Sequence, residues 1–91
     1  MKFQWDPKKA ARNLMRHRVS FREASTVFGD PLASTILDPD HSVEESRLLT
    51  LGRTTERRLI VVSHTDRGED IRIISARPGT RAEKRRYEQD S

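Results

Sequence analysis

The chain has 91 residues, 33% of them hydrophobic and 35% charged, enough for one modest core in a single domain spanning residues 1–91. It has no cysteine, which excludes a disulfide framework and thiolate metal sites, and no apolar run near the roughly 18 residues that span a bilayer, which points away from membranes. The net charge of +4, carried mostly by arginine, suits a polyanionic partner because guanidinium forks onto phosphate, although a solvated basic surface explains it equally well.

The N-terminus, Met1–Asp6, lacks the apolar stretch of a signal peptide, so the expected compartment is the cytoplasm. Asp6 can cap a helix and Pro7 fits its first position, where a missing N–H costs nothing. The spacing predicts a helix over Lys8–His17 with Ala10, Ala11, Leu14 and Met15 as its apolar side. Ser20 and Glu23 form a capping box that opens a second helix, Phe21–Phe28, closed by Gly29-Asp30-Pro31. The period then changes. Ser34–Leu37, Arg47–Gly52, Arg57–Thr65 and Asp70–Arg77 read as strands, with a polar turn over Asp38–Ser42. Arg53–Glu56 and Asp66–Glu69 are short enough to be hairpin connections. Pro78-Gly79 breaks the last strand, and Thr80 with Glu83 caps a final helix. This order predicts an α+β fold: an antiparallel sheet of about four strands with two N-terminal helices and one C-terminal helix. One sheet face can stay partly open to solvent.

The last strand is the most informative. Strict alternation places Ile71, Ile73, Ser75 and Arg77 on one face and Arg72, Ile74 and Ala76 on the other. Arg77 ends the strand, and Arg81, Lys84 and Arg85 follow in the first turns of the helix, whose free N–H groups also favour anions. These arginines can hold phosphate, or pair with Glu83, Glu69 or Asp70. His17 suits a helix C-terminus, His41 lies in a polar turn, and His64 closes a strand. His64 is either a proton carrier or a structural strand-end histidine. The three histidines lack metal-ligand spacing, and no phosphate-binding loop, dinucleotide fingerprint or nucleophile elbow is present, so no metal and no cofactor is expected. Tyr87 can stack on a base or pin the last helix to the core, and Trp5 reads as core.

Several strings coincide in order and spacing: Phe3–Ala10, Asn13-Leu14, Arg16–Phe21, Glu23-Ala24, Phe28–Leu32, Asp38–His41, Ile71–Arg77, Thr80-Arg81, Glu83 and Arg85–Glu88. Together they closely resemble the BrnT family of toxins from bacterial type II toxin–antitoxin systems, along nearly the whole chain. The resemblance implies a RelE-like fold and a ribonuclease activity that arrests translation. It also implies neutralisation by a BrnA-type antitoxin, a ribbon-helix-helix DNA-binding protein that joins the toxin on operator DNA to repress their operon. One departure is visible: the family usually has Lys-His-Gly before Val-Ser-Phe, where this chain has Arg16-His17-Arg18. Glycine there suits a positive φ at a helix end, which Arg18 must adopt at a cost or avoid.

Metal-independent RNA cleavage needs a base for the 2′-hydroxyl, a stabiliser for the phosphorane and an acid for the leaving oxygen. Position and chemistry make Arg77 the first choice for the phosphorane and leave His64 or Tyr87 for the proton. Arg53 and Arg72 become the holders of flanking phosphates, with Arg81, Lys84 and Arg85 as further RNA contacts. A non-catalytic RNA- or protein-binding module using the same basic face is the alternative.

Overall fold

In a computed structural model of the chain, residues 1–40 and 46–89 are described; His41 and the end of the turn expected over Asp38–Ser42 lie outside them. Helix α1 (Pro7–His17) begins as its residues dictate: Asp6 is extended, and its Oδ1 accepts from Lys8 N at 2.8 Å. Its buried side differs from the expected one. Leu14 and Met15 are 50% and 85% exposed, whereas Asn13 is buried. Asn13 answers two backbone groups at once, donating to Val19 O at 2.9 Å and accepting from Ala76 N at 3.0 Å. No apolar residue could satisfy those groups, and an unpaired buried amide is costly. The helix ends at Arg18 with φ 58°, ψ 34°. Arginine therefore adopts the left-handed conformation itself, at about 1 kcal/mol.

Ser20 caps α2 (Phe21–Ser25) by accepting from Glu23 N at 3.0 Å. The expected return bond does not form, because the Glu23 carboxylate turns inward and accepts from Thr54 Oγ1 at 2.8 Å and Arg58 Nε at 2.9 Å. After Ser25 the chain tightens into a 3-10 turn, Thr26–Gly29, where Thr26 Oγ1 donates back to Glu23 O at 2.7 Å.

The remaining elements are β1 (Phe3–Gln4), β2 (Ser34–Leu37), β3 (Leu48–Arg53), β4 (Leu59–Arg67), β5 (Asp70–Pro78) and α3 (Arg81–Gln89). The expected antiparallel strands β2 to β5 form, but the sheet has five strands in the order β1-β5-β4-β3-β2. The added strand β1 pairs parallel with β5, so the sheet is mixed. Two residues show no period-2 pattern, which is why sequence alone misses β1. It covers one end of the β5 edge, and Asn13 covers the other through the Ala76 amide.

A bulge corrects the expected facing of β5. Ser63 pairs with Ser75 and His64 with Ile73, so β5 carries one extra residue. Beyond it the alternation flips. Ile71, Ile73 and Ala76 share one core with Val19, Phe21, Ala24, Val27, Ile60 and Val62, under α1 and α2. Arg77, opposite Val61, turns to the other face. There α3 covers only one end of the sheet, where Tyr87 packs on Leu51 and Val61 with Leu49 and Leu59 around them.

Candidate functional site

The end of β5 and the start of α3 form one electrostatic unit. Thr80 and Glu83 cap α3 reciprocally: Glu83 N donates to Thr80 Oγ1 at 3.1 Å and Thr80 N donates to Glu83 Oε1 at 2.8 Å. Glu83 also receives the Arg77 guanidinium as a fork, Nη1 to Oε1 at 2.8 Å and Nη2 to Oε2 at 3.0 Å. Arg77 Nη1 donates further to Pro78 O at 3.2 Å. The Arg77 fork holds the Glu83 carboxyl down at about 2, and Glu83 in turn raises the Arg77 guanidinium. Both side chains keep solvent access, at 40% and 22%. An arriving phosphate would have to take this fork from Glu83.

A second cluster lies beyond α3. Tyr87 Oη donates to Asp30 Oδ2 at 2.6 Å, and the Arg53 guanidinium carbon sits 5.3 Å from the centre of the Tyr87 ring. Arg53 N donates to the same Asp30 oxygen at 2.8 Å, and Leu32 N to Oδ1 at 2.9 Å. Burial pushes the Asp30 carboxyl up, but these donors outweigh it and leave it lowered. The Tyr87 phenol is raised, first by its bond to Asp30 and then by burial, so it is a proton donor and not a base at neutral pH. A cleft of about 300 Å3 opens beside Arg53, Thr55 and Tyr87. In the sequence Asp30 marks only part of a helix stop. Asp before Pro in a turn does signal an Asx-type bond two residues on, but not the tyrosine 57 residues away.

The other expected residues do not join these clusters. His64 is 2% exposed, on the core face. Its Nε2 bonds Thr50 Oγ1 at 2.7 Å, and Phe28 meets its ring edge-on at 4.9 Å between centroids. Its Nδ1 lies 3.2 Å from Asp66 Oδ1 without the alignment of a hydrogen bond. Burial lowers its pKa despite that carboxylate. The structure thus places His64 in the core beneath the 3-10 turn. Arg72 lies near the opposite end of β5 from Arg77, roughly 15 Å along the strand, so the two do not share one site. Arg81, Lys84 and Arg85 are exposed on α3 while Glu83 and Tyr87 face the sheet.

Residues 5–83 match the family described as ribonuclease toxin, BrnT, of type II toxin–antitoxin system. The chain belongs to the BrnT family. A comparison with curated proteins found no match. Among solved structures, the 1.1 Å crystal structure of the Brucella abortus ribonuclease toxin BrnT is similar, with a TM-score of 0.64 and 24% identity over 89% of this chain and 99% of that one. That likeness establishes the BrnT fold, while the family match carries the class: a ribonuclease toxin with an antitoxin partner. Arg77, Tyr87 and Asp30 are residues of this BrnT chain whose roles rest on the contacts described above.

Proposed function

We propose that this BrnT-family chain is a metal-independent endoribonuclease of the cytoplasm that arrests translation. A BrnA-type antitoxin of the ribbon-helix-helix class neutralises it, and the pair represses their operon. The observation that carries the chemistry is the Arg77–Glu83 fork, a cation with two parallel donors already shaped for a planar or tetrahedral oxyanion. In this reading the RNA phosphate displaces Glu83 from Arg77. The 2′-hydroxyl attacks phosphorus, Arg77 stabilises the phosphorane, and the 5′-oxygen leaves to give a 2′,3′-cyclic phosphate. Once released from Arg77, Glu83 loses the main cause of its low pKa and becomes the base nearest the reaction. Arg53 and the exposed Arg81, Lys84 and Arg85 hold flanking phosphates. Tyr87 positions Arg53 or supplies the leaving-group proton after parting from Asp30. His64 supports the core and takes no direct part.

Induced expression of Arg77→Ala without the antitoxin should leave growth unaffected, with the variant still folded and able to bind antitoxin. Growth arrest equal to wild type would overturn the assignment. One observation favours a second reading, an RNA-binding module without cleavage: the Arg77 fork and the Tyr87 hydroxyl are both engaged by carboxylates. RNA bound but uncut by the purified protein would select it.

A further inference from the structure

A second group of basic residues gathers along the groove between α1 and β5, reaching to the β4–β5 hairpin. A cleft of about 500 Å3 there is lined by Lys9, Arg47, Arg67 and Arg72, with Asp66 as the carboxylate on its wall. A second cleft of about 240 Å3 shares Lys9 and Ile74 with the first and continues past Arg12 and Arg16. The two form one trough. Among the described residues, Lys9, Arg12, Arg16, Arg67 and Arg72 make no ion pair, in contrast to Arg58 and Arg77, which hold Glu23 and Glu83.

This arrangement works against the fold that carries it. Lys9 and Arg12 are three residues apart on α1, and Arg12 and Arg16 four, spacings at which like charges repel. The first turn of α1 has no acidic residue and carries Lys8 and Lys9, against the helix dipole. Thr65 Oγ1, at the wall of the larger cleft, is buried without a hydrogen-bond partner. A polyanion in the trough would relieve the repulsion. The chemistry favours nucleic-acid backbone over protein: the trough is rich in cations, Ile74 is its one large apolar side chain, and protein interfaces have apolar centres depleted in lysine. Among the described residues no Phe, Tyr or Trp lines it and His17 is its one ring, so it offers mainly phosphate contacts.

We propose that the α1–β5 trough is a phosphate track that holds the backbone of single-stranded RNA on the α1 side of β5. This rests on the RNA reading above. The test measures binding of a single-stranded 2′-O-methyl RNA oligonucleotide, which lacks the attacking hydroxyl, over a range of salt concentrations. Lys9→Gln/Arg12→Gln/Arg16→Gln should lower affinity by more than about tenfold and reduce the slope of log affinity against log salt by about 2, three phosphates at roughly 0.7 each. Thermal unfolding checks that these exposed substitutions leave the fold intact. An unchanged slope and affinity overturns the track. So does retained RNA binding with lost antitoxin binding, which would make the trough a protein surface. If wild-type protein shows the predicted slope but leaves ordinary RNA uncut, the track stands and the ribonuclease reading falls.

Discussion

Glu23 and Glu83 are held at about 2, each first by a hydrogen bond from an arginine, Arg58 and Arg77 respectively. The folded pKa lies below the unfolded value of about 4.3, so the unfolded chain takes up protons first as pH falls. The stabilisation is therefore complete above about pH 4.5 and is lost as pH falls towards 2. Thermal unfolding scanned over that window should show the melting temperature falling steeply in wild type. Glu83→Gln should flatten the fall, while a curve unchanged by the substitution would show that the fork does not hold in solution. The two carboxylates also show what sequence can and cannot reveal. The Glu83 box was legible because Thr80 lies three residues away. The destination of Glu23 was not, because Thr54 and Arg58 are 31 and 35 residues distant. The burial of His64 was not legible for a related reason: alternation says which face a residue shares, not that Phe28 closes over it.

At the scale of elements, composition and periodicity found all three helices and the four antiparallel strands, since each has its own cap, turn or period. They did not find β1, whose two residues gain strand geometry only from pairing with β5. Nor did they find the bulge, because Ile71, Ile73 and Ile74 are all apolar and the sequence does not say which of them leaves the core face. Yet the bulge moves Arg77 onto the face that α3 partly covers. The position of α3 depends on its contacts with the sheet and on the bond from Tyr87 to Asp30, the latter tying it to the loop before β2. Tyr87→Phe keeps the ring on Leu51 and Val61 and removes only that bond. It should lower stability by about 1 kcal/mol, read as a shift of the denaturation midpoint. A midpoint equal to wild type would mean that apolar packing alone holds α3.

At the scale of the molecule, basic residues separate into two regions. At one end Arg77 is tied to Glu83 and Arg53 is stacked on Tyr87, with Arg81, Lys84 and Arg85 exposed beside them, while along α1 and the β4–β5 hairpin basic residues line a trough. The first region offers directed donors for one phosphate, and the second a diffuse field for a backbone. A net charge of +4 suggested an anionic partner but could not divide it this way, because the partition depends on which arginines meet carboxylates in space. The central claim is that this BrnT-family chain cuts RNA through Arg77. Mapping RNA ends after incubation with purified wild type and Arg77→Ala tests it most directly. The account predicts new fragments ending in 2′,3′-cyclic phosphate with wild type and none with Arg77→Ala. Intact RNA with wild type, or the same fragments from both proteins, would contradict it.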